Sequence, residues 1–99
     1  MLAINKTTEQ GKALFQLAGR LDTTAAPQLE QEIKASLEGV KELTLDLKEL
    51  AYISSAGLRV LLTAQKTMNQ QGAMTVRNVN ETVMEIFEIT GFSDILTIE

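Results

Sequence analysis

Apolar positions recur along this chain with two different periods, and the switches between them divide it into elements. Leu2, Ala3 and Ile4 form a short apolar run, and Ala13, Leu14, Phe15, Gln16, Leu17 and Ala18 a longer one. Both read as strands, and the polar stretch 5–11 between them, ending in Gly11, predicts a hairpin connection. From Ala26 the step becomes three and four, so that Ala26, Leu29, Ile33 and Leu37 share one helical face. Pro27 fits only a first turn, which places the start of this helix near Thr24. Glu30 and Lys34 form a supporting i,i+4 pair, and Gly39 suits a C-terminal end. Leu43, Leu45 and Leu47 then alternate with Thr44 and Asp46, the pattern of a strand buried more deeply on one face and the candidate for the central strand.

Leu58, Leu61 and Leu62, continued by Ala64, Gln65 and Met68, predict a second helix that starts around Ser54 and Ser55 and stops before Gly72. Residues 73–78, with Met74 and Val76 on one face, read as a strand. Asn80 suits the N-cap of a third helix with Val83, Ile86, Phe87 and Thr90 inward, and Gly91 with Phe92 suits its C-terminal cap. Residues 95–98 predict a last strand. The order β-β-α-β-α-β-α-β implies right-handed crossovers between parallel strands, with the opening hairpin as an antiparallel edge. The expected architecture is one α/β domain over residues 1–99: a mixed, mostly parallel sheet of about five strands and three amphipathic helices.

Composition narrows the chemistry. A chain of 99 residues buries only roughly 60–65% of its unfolded surface, leaving one modest core and little room for a deep catalytic pocket. It has no Cys and no His, so thiol nucleophiles, zinc-thiolate sites, imidazole metal ligands and Ser-His-Asp triads are excluded. No cofactor and no metal are expected. Thirteen acidic against nine basic residues, net −4, leave no positive stripe for phosphates, so partners are expected to be proteins or small ligands rather than nucleic acid. There is no basic n-region followed by an apolar run and no stretch of about 18 apolar residues, so the expected location is the cytoplasm. Asn5 and Asn80, each in an Asn-x-Thr triplet, carry no glycosylation meaning there. No long exposed apolar heptad is present, and a monomer is expected.

One segment rises above a generic α/β pattern. Ser54, Ser55, Ala56 and Gly57 lie where a strand gives way to a helix, a place with exposed hydroxyls, free backbone N–H groups and the positive end of a helix dipole. A phosphate on Ser55 would add about −1.5 to −2 charges there, changing the surface while the fold tolerates it. The same residues also fit a simpler role, in which a serine caps the helix and Ala56 and Gly57 permit close helix–sheet packing. A serine hydrolase fits poorly, because the Gly-x-Ser-x-Gly elbow and any histidine base are missing. Nucleotide binding lacks the Gly-x-x-x-x-Gly-Lys-Ser/Thr loop.

The segment from Asp46 to Leu58, together with Gly19-Arg20-Leu21-Asp22 upstream and the Ile86-Phe87-Glu88-Ile89-Thr90-Gly91-Phe92 pattern near the end, resembles the STAS domain, and within it the bacterial anti-sigma factor antagonists. The resemblance spans essentially the whole chain. It implies partner switching: the unmodified antagonist binds an anti-sigma factor that is also a serine kinase, the sigma factor is freed, phosphorylation ends the complex, and a serine phosphatase restores it. Carried over by position, the phosphate acceptor is Ser55, Gly57 and Leu58 lie on the contact surface, and Asp22 is the acidic loop position beside the acceptor. Thr23, Ser54, Ala56 and Arg59 complete the implied contact set. Two positions depart from the usual family pattern: Ser54 stands where an Asp is common and Arg59 where a small residue is common. The first departure makes Ser54 a second choice for the acceptor.

Other residues have plainer expectations. Asp22 can simply shape its turn, Asp46 reads as structural, and Tyr52 as core packing at a strand end with its hydroxyl wet. Met68, Met74 and Met84 read as apolar filler, and Arg59 and Lys66 as a solvated helix face by default, with contact to an acidic partner as the alternative. The alternative to a phosphorylation-regulated antagonist is a constitutive STAS subunit docked on a larger complex, such as a membrane lipid-transport ATPase, with the serine only a cap.

Overall fold

A two-residue turn sets the first register. In the computed structural model, which describes residues 2–99, Gln10 and Gly11 both have positive φ, 47° and 81°. This is the backbone hand that matches the twist of a tight hairpin. It joins β1 (Leu2–Glu9) to β2 (Lys12–Leu21) antiparallel, from Glu9 opposite Lys12 to Leu2 opposite Gly19. Residues 5–9 are therefore strand and not connection. Their polarity misleads because β1 is an edge strand, whose outer half lies in water.

The chain continues through α1 (Ala26–Ser36), β3 (Glu42–Ile53), α2 (Ser55–Gln71), β4 (Ala73–Arg77) and α3 (Glu81–Thr90). The sheet order is β1-β2-β3-β4, with β2, β3 and β4 mutually parallel. Both crossovers step the same way across the sheet, so right-handed connections put α1 and α2 on one face. Burial follows: Ala13, Phe15 and Leu17 of β2, Leu43, Leu45 and Leu47 of β3, and Met74 and Val76 of β4 are buried, while Gln16 is exposed and Thr44 and Thr75 half-buried. Ala26, Leu29 and Ile33 of α1, Leu58, Leu61, Ala64 and Met68 of α2, and Val83 and Phe87 of α3 complete the same core. Asn80 caps α3 by accepting from the Val83 N–H at 2.9 Å, and Gly91 ends it in the left-handed conformation. Among the described residues no helix is long and apolar enough to cross a membrane.

The predicted fifth strand is a correction. After α3 a 3₁₀ turn, Phe92–Asp94, occupies the chain, Leu96 turns into the core and Ile95 stands 45% exposed. Only Ile98 bridges Val76, through bonds from the Val76 N–H to the Thr97 carbonyl and from the Glu99 N–H to the Val76 carbonyl. The sheet therefore has four strands, and residues 97–99 merely shield its β4 edge.

β3 also runs further than its alternating leucines suggest. Gln16 faces Asp46 while Ala18 faces Glu49, and Gly19 faces Leu50 while Arg20 faces Tyr52, so β3 carries one extra residue at each of two places. These bulges let Leu47, Leu50 and Ile53, three residues apart, all reach the core, and the strict period of two is lost.

On the helix-free face, Asp46 is 8% exposed. Its Oδ1 accepts from the Lys48 N–H at 3.0 Å and from Asn78 Nδ2 at 3.1 Å, and its Oδ2 lies 3.8 Å from Arg77 Nε on the neighbouring strand. Burial pushes its pKa up, but the two hydrogen bonds and the charges of Arg77 and Lys48 outweigh that and hold the carboxyl below its ordinary value. A carboxyl with a depressed folded pKa stabilises the fold above its unfolded pKa, and that contribution is lost as pH falls through the folded pKa. Urea midpoints measured against pH should thus fall on acidification below about pH 4. Asp46→Asn should cost about 1 kcal/mol at neutral pH and flatten that acid limb.

Candidate functional site

The second bulge delivers the end of β3 to the end of β2. Leu21 pairs with Ile53, and the Ser54 N–H donates to the Leu21 carbonyl at 2.9 Å. The turn after β2 and the start of α2 are thereby locked side by side. In that turn Asp22 Oδ1 accepts from the Ala25 N–H at 2.9 Å, and the Asp22 carbonyl accepts from the Ala26 N–H, also at 2.9 Å. The N-cap residue of α1, Ala25, offers no side-chain cap, so Asp22 shapes the entry to this helix.

The two serines have different jobs. Ser54 is the N-cap of α2: it is 8% exposed, has extended backbone geometry, and its Oγ accepts from the Gly57 N–H at 3.2 Å. Ser55, the first residue of the helix, is exposed. Gly57 is buried beneath them, and a Cβ there would sit 2.7 Å from Leu21 Cγ, 2.9 Å from Ile53 Cγ1 and 2.9 Å from the Leu21 carbonyl oxygen. Glycine at this position lets α2 press against the paired strand ends.

The surface around Ser55 is made by exposed Thr23, half-buried Ala56 and exposed Arg59, with Pro27 and Glu30 of α1 closing a shallow cleft. The expectation that Gly57 and Leu58 lie on the contact surface is a correction. Gly57 is buried and Leu58 is 5% exposed within the core, because the helix turns that side to the sheet. Their part is to hold Ser55 and Arg59 outward. Sequence reasoning missed Arg20, whose guanidinium lies 4.5 Å from the Tyr52 ring centroid on the neighbouring strand. Their adjacency depends on the bulged register, and no local pattern reports it.

A family model, the STAS domain, matches residues 3–99. The chain is 40% identical over 90 residues to a candidate anti-sigma factor antagonist, BtrV of Bordetella bronchiseptica, covering 89% of this chain and 78% of that protein. It is 32% identical over 98 residues to the anti-sigma-B factor antagonist of Bacillus subtilis, covering 96% and 90%. The solved structure of the Bacillus cell fate determinant SpoIIAA in its phosphorylated form superimposes with a TM-score of 0.77 at 18% identity, covering 98% of this chain and 91% of that one. The chain belongs to the STAS domain family, and its curated relatives are bacterial anti-sigma factor antagonists.

The division between the serines has a direct test in chemical denaturation. Ser54→Ala removes the cap and should cost about 1 kcal/mol, whereas Ser55→Ala should change stability by less than about 0.5. Gly57→Ala should cost about 1–3 kcal/mol by forcing α2 away from Leu21.

Proposed function

We propose that this protein is an anti-sigma factor antagonist whose binding is switched by a phosphate on Ser55. The observation that carries the reading is the unequal state of two adjacent hydroxyls. Ser54 Oγ is buried and occupied as a helix cap, while Ser55 stands exposed at the first position of α2. A kinase needs the second kind. The names of the relatives support the antagonist role, and the phosphorylated form of SpoIIAA supports a phosphate as the switch.

In the unmodified state Thr23, Ser55, Ala56 and Arg59 meet an anti-sigma factor with serine-kinase activity, beside the turn that Asp22 shapes. The kinase drives Ser55 Oγ onto the γ-phosphorus of a nucleoside triphosphate; the bond to the leaving diphosphate breaks and the hydroxyl proton departs. A phosphatase returns the serine by hydrolysis, water supplying the oxygen of the released inorganic phosphate. The chain itself catalyses neither step. A phosphate within about 4 Å of an acidic group of the partner is repelled by on the order of 4 kcal/mol at an effective dielectric of 20, and about 1.4 kcal/mol already changes affinity tenfold. One phosphate is enough to end the complex with both proteins folded.

Calorimetric titration against the cognate anti-sigma factor should show Ser55→Ala binding like the unmodified protein and Ser55→Asp binding at least tenfold more weakly. Phosphopeptide mass spectrometry with fragments that separate the two serines should place the cellular phosphate on Ser55. Equal affinity of both variants and the unmodified protein would sink the switch, and a constitutive complex with no phosphate under any growth condition would favour a docking subunit instead.

A further inference from the structure

We propose that Arg59 is the intramolecular counter-ion of the Ser55 phosphate, pairing with it across one turn of α2. The inference rests on the reading of Ser55 as the acceptor. The phosphate arrives covalently, so what matters is which side chains it meets once it is there.

Ser55 and Arg59 are four apart on one helix, which places their Cβ atoms about 5–6 Å apart on the same face. Both are exposed. The order is the favourable one, acidic group N-terminal and basic group C-terminal. Arg59 is also uncommitted: the salt bridges among the described residues are Lys6 with Glu32, Lys12 with Glu42 and Arg77 with Asp46, and none uses it. Glu30 of α1 lines the same cleft as Arg59 without pairing to it. The Asp22 carboxylate, in the neighbouring turn, is engaged with the Ala25 N–H, and the Arg20 guanidinium lies over the Tyr52 ring. Among the described residues, Arg59 is therefore a cation without a salt-bridge partner within one turn of Ser55, and Asp22 and Glu30 are the anions of the adjoining turn and helix. A guanidinium fork matches two phosphate oxygens and stays charged at all working pH values.

Two consequences follow for the switch. The pair offsets part of the charge that the phosphate brings to the start of α2, so the phosphorylated protein keeps its fold. It also withdraws Arg59 from the partner: phosphorylation adds negative charge and cancels the nearest positive charge in the same event. An acidic group of the partner that Arg59 meets in the unmodified state then faces a phosphate with no counter-charge to spare.

The test uses the full chain with phosphoserine installed at position 55 during translation, and reads the phosphate by ³¹P NMR across pH. The second ionisation of a free phosphoserine lies near pH 6. The counter-ion should hold it lower, so Arg59→Gln should raise it, weakening the acid dissociation constant about threefold, the scale of an exposed ion pair. Arg59→Lys should recover part of the shift, because it keeps the charge without the fork. Lys66→Gln, which removes an exposed cation further along the same helix, should leave the curve in place. Coincident curves for the unsubstituted chain and Arg59→Gln, or a shift of equal size in Lys66→Gln, would overturn the pairing. This readout is independent of any cellular kinase: it can remove the counter-ion while the switch stands, whereas absence of phosphate on Ser55 in cells removes the switch itself.

Discussion

The parallel pairing of β2 with β3 is the constraint from which the rest of the site follows. Two extra residues in β3 bring Ile53 level with Leu21, and the bond from the Ser54 N–H to the Leu21 carbonyl closes that register at its last step. Without the bulges the ends of the two strands would be out of step by two residues, and the Asp22 turn would not lie beside the start of α2. The same irregularity sends Leu47, Leu50 and Ile53 inward together, so the strand is anchored in the core up to the residue before the cap. Rigidity at Ser54 is thus inherited from the sheet rather than from the loop.

On that rigid end two adjacent serines differ in what they do for the fold. Ser54 satisfies the free N–H of Gly57 and is buried; Ser55 faces water. Serine is a strong N-cap residue, so Ser54 fills the cap with a neutral hydroxyl and no charge. Gly57 sets the depth: with no side chain it admits Leu21 and Ile53 at distances that any Cβ would forbid, and it thereby fixes how far Ser55 stands out.

Much of this was legible in the chain because it is local. The inward faces of the helices, the cap at Asn80, the stop at Gly91 and the helix start at Ser54 and Ser55 each depend on residues within a turn of one another, and the structure has them where the pattern places them. The misreadings share a different cause. Residues 5–9 are polar because they form an edge strand, β3 loses its period where it bulges, and of residues 95–98 only Leu96 is buried, in the core, so the segment does not extend the sheet as a strand. Gly57 and Leu58 carry the family resemblance, yet a motif does not say which of its residues face the core. The Arg20 and Tyr52 stack and the Asp46, Asn78 and Arg77 cluster join residues distant in sequence, and they appear only once strand neighbours are known.

Under the proposed switch, the placement of Ser55 also accounts for how a modification of nearly two charges would leave the fold intact. Ser55 contributes nothing to the core, its hydroxyl carries no capping bond, and the stabilising contacts beneath it belong to Ser54, Gly57 and Leu58. A phosphate there disturbs no buried group, so its free energy is expressed almost wholly at the surface, where a partner would meet it. A phosphate on Ser54 would instead have to displace the cap and desolvate against Leu21, and the protein would register it as lost stability. For the proposed binding switch the first arrangement is the better one, since each cycle would then change affinity without risking the fold.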